Sequence, residues 1–363
     1  MLHADCFHTI DELRAITPAW NDLWQRSEPT SAVHRAESLL SFLEHFENGQ
    51  RLDVFVVRED DRLLAAMPIV ESQRLVGLSC GGLPGNEWSQ PGTLLLDRDA
   101  DSQSVLKTLL DMIQRSDFSL IRLDQISFQS LAWANFQTSL KQKRIPYEAV
   151  PQYEMGTVDV RGDFESLMAS RSKNLRSSLS RRRRRLEEQG EVRFAMLDNF
   201  SSEPIEPLFR TMFALEQKSW KQAIGGTVLG NPEIFDFYVE LGHLMSEGGF
   251  LRVATLRHDD RLIAYNLAVE SKGVYHSYKV SYDPEFQIYG PGQLLHESIT
   301  EHACNSPTLE AIHYCGPMDE AIAAWSDTPC PIGRLSFSSR RGFTDRLAWL
   351  AYRTAAKVRR FGK

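Results

Sequence analysis

What this 363-residue sequence lacks removes several classes of protein. Its five cysteines are odd in number and show no paired metal-ligand spacing, so neither a disulfide framework nor a metal centre is expected. The longest apolar runs, LLAAMPIV and LIAYNLAV, have the length of strands and are too short to span a membrane. The N-terminal MLHADCFHTIDEL has acids and histidine where a signal peptide needs an apolar run. These absences predict a soluble, cytoplasmic protein.

An excess of positive charge is also missing. Lys and Arg number 41 against 48 Asp and Glu, which gives a net charge of −7, whereas nucleic-acid-binding domains are usually basic. The exception is the run Arg181–Arg185. Three interpretations remain open: an amphipathic helix with a basic outer face, a basic rim that attracts an anionic substrate or cofactor, and a nucleic-acid contact, which is the least expected.

An apolar stripe explains how this basic segment packs. On one helix over residues 164–189, four apolar side chains fall close to a single line, and Arg182 lies at the edge of that sector. The four are Met168, Leu175, Leu179 and Leu186. The other arginines then face solvent, where Glu187 and Glu188 partly offset their charge.

The chain contains an internal repeat. Residues Leu52–Val70 and Leu251–Glu270 each consist of two β-rich runs around a charged turn, EDDR in the first and HDDR in the second. The repeat predicts two tandem units of an α+β fold, each a mostly antiparallel mixed sheet flanked by helices. The predicted domains are residues 1–155, residues 156–345 and a basic amphipathic helix over 346–363.

The second half has a clear order of elements. Helices are predicted over 164–189, 203–223 and 233–247, followed by the hairpin and a strand over Gly273–Asp283. A helix opens at GPGQLLHESITEHA, and the strand LEAIHYCG comes after it. A short helix over 319–326, a strand near RLSFS and a helix over 343–360 complete the chain.

The segment VSYDPEFQIYGPGQLL, Val280–Leu295, indicates a binding site. A strand ends at Asp-Pro, and glycines then turn the backbone into a helix. The first turn of a helix has unpaired N–H groups and a partial positive charge, so this junction can bind a phosphate or diphosphate.

Here the chain resembles the GNAT superfamily of N-acyltransferases, and more widely its CelD- and FemAB-like branch, in which two GNAT-like units lie in tandem. DPEFQIYGPG matches the acyl-CoA loop of that superfamily, Gln-x-x-Gly-x-Gly after a strand. The resemblance implies acetyl-CoA or another acyl-CoA as donor. The donor-binding residues it implies are Val280, Tyr282, Gln287, Ile288, Tyr289, Gly290, Pro291, Gly292, Gln293 and Leu294. The glycine-rich Ser79–Gly92 of the first unit lacks this spacing, so that unit is expected to have lost CoA binding and to build part of the acceptor cleft.

Candidate acid–base residues follow from strand alternation and from the resemblance. In the strand Gly273–Asp283, His276 and Tyr278 are expected on one face with Val280 and Tyr282, facing the cleft. The remaining candidates are His313, Tyr314 and Glu216. HYCGPMDEAIAAW lacks the Tyr-Lys pair of many CelD-like members, so Tyr314, Tyr289 or direct thiolate release must replace the general acid.

The resemblance implies acyl transfer, and three functional hypotheses remain open. The first is transfer from acyl-CoA to an amine of a small molecule or glycan, such as a polysaccharide or cell-envelope precursor. The second is FemAB-like aminoacyl transfer from a charged tRNA, and the third is a non-enzymatic role in polysaccharide assembly. The terminal helix sets Leu347, Leu350 and Val358 on one face, which would allow peripheral membrane contact as well as packing.

Overall fold

Helices flank sheets whose strands pair mostly antiparallel, as expected of an α+β protein. The structure is a computed structural model that describes residues 1–47, 49–75, 78–90, 92–201, 204–218, 226–339 and Trp349. It contains two compact units, and the main boundary between them falls after Tyr153. Each unit has a mixed, mostly antiparallel sheet flanked by helices, which confirms the predicted fold class.

The first unit comprises residues 1–28, residues 34–153 and the described residues from Pro331 onward. Its strands are β1 (Leu2–Phe7), β2 (Leu52–Glu59), β3 (Arg62–Leu75), β4 (Leu78–Gly82), β5 (Leu95–Leu96), β6 (Leu120–Ser127), β7 (Tyr147–Met155) and β14 (Cys330–Ser338). Its helices are α1 (Ile10–Ala15), α2 (Thr17–Arg26), α3 (Ala36–Phe46), α4 (Ser102–Ile113) and α5 (Leu131–Gln142). The sheet order is β1-β2-β3-β4-β6-β14-β7, with β5 paired to β3.

The second unit comprises Pro29–Val33 and Glu154–Cys330. Its strands are β8 (Thr157–Asp159), β9 (Val192–Leu197), β10 (Leu251–His258), β11 (Arg261–Ser271), β12 (Val274–Tyr282) and β13 (Ala311–Tyr314). Its helices are α6 (Phe164–Ser170), α7 (Lys173–Glu187), α8 (Ile205–Gln217), α9 (Pro232–Glu247), α10 (Pro291–Cys304) and α11 (Glu320–Ala323). The sheet order is β8-β13-β12-β11-β10-β9.

The two predicted hairpins form and share one geometry. In both, a two-residue turn begins with an aspartate of positive φ, 52° at Asp60 and 50° at Asp259, a conformation that aspartate tolerates better than most residues. Both also have a β-bulge at the same distance from the turn, with Leu64 and Ile263 as the extra residues. The internal repeat is therefore present in the backbone.

Several predicted boundaries change in the structure. The strand near RLSFS, predicted for the second domain, is β14, which pairs with β6 in the sheet of the first unit. The single helix predicted over 164–189 is broken at Arg171 and Ser172, because the Ser172 side chain caps α7 by accepting from the Leu175 amide. The predicted helix over 343–360 and the domain over 346–363 lie outside the described residues, apart from Trp349.

None of the described helices combines the length and apolarity that crossing a bilayer requires.

Candidate functional site

A β-bulge in β12 determines which side chains face which side of the second sheet. Lys279 lies opposite Leu267, and Ser277 lies opposite Ala268, so Tyr278 is an extra residue between two paired ones. A bulge reverses the alternation of side chains along the strand. The regular alternation assumed from the sequence therefore fails at this residue.

The bulge corrects the predicted grouping of His276 with Val280 and Tyr282. Cross-strand partners share a face, so His276 lies with Lys279, and Ser277 lies with Val280 on the opposite face. The Asn266 side chain confirms the second group, because its Nδ2 donates to Ser277 Oγ at 2.7 Å. His276 and Val280 therefore cannot point to the same side of the sheet.

Among the residues that the structure describes, none pairs beyond the bulge with the edge of β12 that faces β13, so this edge is called the open edge. Strand β13 runs parallel to Val274–Ser277, and the last bond between the two segments is from the Cys315 amide to Ser277 O at 3.0 Å. On the other edge, the Asp283 amide donates to Ile263 O at 2.8 Å. Because successive amides of a strand point in opposite directions, those of Val280 and Tyr282 point toward the gap that β13 leaves.

The predicted loop follows this edge directly. A 3₁₀ helix over Pro284–Tyr289 ends at Gly290, whose φ of 60° and ψ of 54° are left-handed, and α10 begins at Pro291. Gly290 O accepts from the amides of Gln293 at 3.0 Å and Leu294 at 3.2 Å. No side chain in the described part of the chain caps this helix. Because Pro291 has no N–H, the Gly292 amide is the first donor that the helix offers.

The side chains of the loop divide into exposed and packed groups. Ile288 is 65% exposed and Tyr282 is 38% exposed, and both are large apolar side chains at the rim of the open edge. Gln287 is also exposed, whereas Pro291 and Leu294 are buried. Tyr289 packs against the apolar core of the unit. Gln293 fixes the start of α10, since its Oε1 accepts from Trp325 Nε1 at 2.8 Å.

A buried carboxylate anchors the loop. Asp283 accepts from Lys218 Nζ at 3.0 Å, from Arg261 Nη2 at 2.6 Å and from the Glu285 amide at 3.2 Å. Although burial opposes ionisation, Arg261 and Lys218 hold the pKa of Asp283 below its usual range. Arg261 also bonds the Glu285 carboxylate at 2.7 Å. Sequence reasoning missed this anchor; the arginine that ends the repeated DDR turn was the available signal.

The two candidate histidines are neighbours on β12 and β13. The rings of His276 and His313 lie 5.5 Å apart at an angle of 87°, edge to face. His276 is buried, and His313 is half-buried. Burial lowers the pKa of His313 to about 4, so its imidazole is neutral near pH 7. His313 can therefore accept a proton, but only as a weak base.

The two candidate tyrosines hold their protons firmly. Tyr314 is buried in the apolar core, where its ring meets that of His296 at 5.1 Å, and burial raises its pKa. Tyr278 is the bulged residue, and its hydroxyl donates to Ser31 Oγ at 3.0 Å. Desolvation raises the pKa of Tyr278 as well. Both hydroxyls are therefore reluctant acids.

Glu216 is buried rather than solvated on its helix. Its Oε2 accepts from the Val228 amide at 3.2 Å, and its Oε1 lies 3.5 Å from Lys279 Nζ. Both carboxylate oxygens are engaged, and Lys279 lies on the same face as His276. Glu216 therefore stabilises the packing of α8 against β12, and its side chain is buried among the described residues.

The basic helix contacts the candidate loop. Leu179 and Leu186 are buried, as the apolar stripe predicts, while Met168 belongs to the separate helix α6. Arg183 Nη2 bonds Glu297 of α10 at 2.7 Å, and the Arg185 guanidinium lies 5.9 Å from the centre of the Tyr289 ring. Two of the arginines predicted to face solvent therefore meet the loop or the helix after it.

A separate group in the first unit combines Cys6, His8 and Asp53, whose potential ligand atoms lie within 4.8 Å of one another. Arg51 already donates to both oxygens of Asp53, at 3.1 Å and 2.7 Å. Burial raises the pKa of the Cys6 thiol to about 12, which disfavours the thiolate that binds metals. This group is better described as an ion pair with neighbouring polar side chains.

Comparisons with known proteins agree with the geometry of the second unit. Residues 173–320 match the family model described as an acetyltransferase (GNAT) domain. No curated protein matches the sequence.

Among solved structures, the chain is similar to FemX, at 10% identity and a TM-score of 0.58, over 92% of this chain and 97% of that one. It is also similar to the C-terminal domain of a proposed lysylphosphatidylglycerol synthetase from Agrobacterium fabrum, at 12% identity and 0.53, over 95% and 96%. L-PGS from Bacillus licheniformis gives 13% identity and 0.53, over 93% and 95%. At these identities the likeness concerns the fold. Residues 173–320 thus match a GNAT acetyltransferase domain, in a chain that shares its fold with FemX and L-PGS.

Proposed function

We propose that this GNAT-type acyltransferase uses an acyl-CoA, with acetyl-CoA as the first candidate, to acylate an amine. One observation carries the proposal: the open edge of β12 leads without interruption into a helix that begins at an uncapped glycine. The amides of Val280 and Tyr282 are placed to pair with an extended pantetheine arm. The Gly292 amide and the start of α10 are placed to accept a diphosphate.

Proximity and polarisation would supply most of the catalysis. A thioester held along β12 is fixed for attack, and backbone N–H groups at the open edge stabilise the developing oxyanion. An alkyl amine has an unperturbed pKa of about 10, so most of it is charged at neutral pH. Of the histidines in the site, we assign proton acceptance to His313, since His276 is buried. Its pKa of about 4 makes the supply of neutral amine the controlling factor.

We further propose that the acceptor belongs to a cell-envelope or polysaccharide precursor. The described first unit contains a cleft of about 590 Å³, lined by charges of both signs that include Arg51, Glu71, Arg122 and Asp124. Such a lining suits a ligand that has polar and charged groups, as a precursor of this kind has. A cytoplasmic location is part of the same proposal.

Donor binding can be tested by thermal denaturation with and without acetyl-CoA. The wild-type protein should be stabilised, and Gly290→Trp combined with Gly292→Trp should lose the stabilisation, because two indoles fill the turn. The control is Gly162→Trp, since a Cβ at Gly162 meets no atom within 4 Å. If no acyl-CoA changes the melting temperature of the wild type, the proposed donor is wrong.

A second candidate function is aminoacyl transfer from a charged tRNA. It is favoured by the position of the arginine-rich α7 beside the candidate loop, and by a fold shared with FemX and L-PGS. Binding of tRNA that weakens steeply with salt would support it. Absence of tRNA binding at low salt, together with acetyl-CoA turnover, would remove it. Such turnover with free amines would also exclude a purely structural role in polysaccharide assembly.

A further inference from the structure

Arg182 of α7 lies against the glycine at which the donor loop turns. A Cβ placed on Gly290 would collide with Arg182 Nη1 and would lie 2.9 Å from its Cζ and 3.0 Å from its Cδ. The guanidinium therefore covers the position where a side chain of residue 290 would be. Two independent conditions, the left-handed φ and this close approach, require glycine there.

Arg182 differs from Arg183 and Arg184 in lacking a counter-charge, and from the exposed Arg181 and Arg185 in being half-buried. Arg183 pairs with Glu297 at 2.7 Å, and Arg184 lies 3.7 Å from Glu188. Glu285, the acidic residue of the loop that is nearest to Gly290 in sequence, forms an ion pair with Arg261. Within the described residues Arg182 has no ion pair or hydrogen bond, although its side chain is half-buried.

This placement is unfavourable without an anion. The N-terminus of α10 has a partial positive charge, and a guanidinium beside it adds a full one. The same arrangement becomes favourable when an anion lies between them, because the anion offsets both. A guanidinium also presents parallel N–H groups that match two phosphate oxygens, so phosphate suits it better than a carboxylate or a halide.

We propose that Arg182 is a donor-binding residue that contacts the diphosphate of acyl-CoA, together with the Gly292 amide. The inference rests on the proposed function for the identity of the donor. It assigns selectivity for phosphate-containing donors to a side chain of α7, a helix that lies between β8 and β9 in the chain. The positively charged side chain that the loop itself lacks is thus supplied by α7.

The test compares acetyl-CoA with donors that lack some or all of its phosphates. For Arg182→Gln, the Kd of acetyl-CoA measured by calorimetry should rise about tenfold, the loss expected for one charge-assisted contact. The Kd of S-acetylpantetheine, which has no phosphate, should stay within about twofold of wild type. Acetyl-3′-dephospho-CoA should show the same tenfold loss as acetyl-CoA, which assigns the contact to the diphosphate.

The matched control is Arg181→Gln, which removes an exposed arginine of the same helix. It should leave all three dissociation constants within about twofold. Equal weakening of all three donors by Arg182→Gln would show that Arg182 only supports the loop, and unchanged binding of acetyl-CoA would also overturn the inference. The inference would also be overturned if Arg182→Gln weakened the binding of acetyl-CoA but not that of acetyl-3′-dephospho-CoA.

A second measurement separates this inference from the donor assignment. Inorganic pyrophosphate should raise the melting temperature of the wild type and of Arg181→Gln, but not that of Arg182→Gln. If the wild type binds no acyl-CoA yet shows this pattern, the proposed function fails while the phosphate contact stands. If pyrophosphate protects all three proteins equally, the contact is refuted.

Discussion

The two units begin their loops in the same way and complete them differently. In the first unit the amide of Asp97 donates to Leu64 O at 2.9 Å, and in the second the amide of Asp283 donates to Ile263 O at 2.8 Å. Leu64 and Ile263 are the extra residues of the two hairpin bulges. Asp97 and Asp283 are therefore equivalent positions.

The equivalence extends to the side chains. Each aspartate is buried and is bonded by the arginine that ends the hairpin turn and by a cation at the end of a preceding helix. The cations are Arg26 and Arg62 in the first unit, and Lys218 and Arg261 in the second. The loop anchor was thus kept in both copies.

The units diverge immediately after this anchor. In the first, α4 starts five residues later, and Asp101 caps it by accepting from the amides of Gln103 at 3.1 Å and Ser104 at 3.4 Å. In the second, α10 starts at Pro291, and the preceding Gly290 has no side chain with which to cap it. The first unit therefore fills its anion position with its own carboxylate, while in the second no described carboxylate occupies that position.

This comparison corrects the counterpart chosen from the sequence. Glycine content suggested Ser79–Gly92 as the loop of the first unit. The hydrogen bond of Asp97 instead places the counterpart at Asp97–Asp101, and Ser79–Gly92 includes β4 and a segment that precedes β5. The expectation that the first unit has lost CoA binding stays a prediction, now with a capped helix as its physical reason.

The largest expected effect comes from placing an aspartate at Gly290, the position in the second unit that corresponds to the capping Asp101 of the first. Gly290→Asp should weaken acetyl-CoA binding at least about 100-fold, because a carboxylate would repel the diphosphate and pair with Arg182. Gly290→Asn has a side chain of similar size and tolerates the same left-handed backbone, so it should retain more binding. Calorimetry with both variants separates charge from size. Equal losses would mean that bulk alone closes the site.

Removing the anchor charge should distinguish the two units. Asp97→Asn and Asp283→Asn should each lower the free energy of unfolding by about 2 kcal/mol, because two cations lose a buried partner while keeping partial solvent access. Asp283→Asn should also weaken acetyl-CoA binding, whereas Asp97→Asn should not. Urea denaturation and calorimetry provide the two measurements. Loss of donor binding in both variants would contradict the division of roles.

Acid should destabilise the second unit through His296, whose pKa burial lowers to about 4. The unfolded histidine, with a pKa near 6.5, binds its proton first as the pH falls, so stability present above about pH 6.5 is lost toward pH 4. His296→Phe should reduce the loss of unfolding free energy between pH 7 and 5 by about 2 kcal/mol. His302→Gln, on the exposed side of the same helix, serves as control. An unchanged pH dependence in His296→Phe would refute the assignment.

The smallest effect is expected from uncapping the first unit. Asp101→Ala should lower the melting temperature by about 2 °C, since two amides of α4 lose their acceptor. It should not create a second acetyl-CoA site in the first unit, because the described first unit has no turn at this position like the glycine turn of the second. Differential scanning calorimetry gives the first quantity and binding stoichiometry gives the second. A stoichiometry near two would show that the cap alone had closed the first unit.

Residues close together in sequence determined most of what could be predicted. The DDR turns specify both hairpins, and DPEFQIYGPG specifies a strand end, a left-handed glycine and a helix start within ten residues. Local hydrogen bonding and backbone sterics are sufficient for such features.

Only the tertiary structure decided the features that join distant segments. The bulge at Tyr278, which moves His276 away from the face of Val280, depends on how β11 pairs with β12. The return of β14 to the first sheet, the burial of Glu216 against Lys279 and the approach of Arg182 to Gly290 depend on contacts that alternation and composition do not encode. A short motif fixes its own backbone, but the charges and partners around it come from packing between elements far apart in the chain.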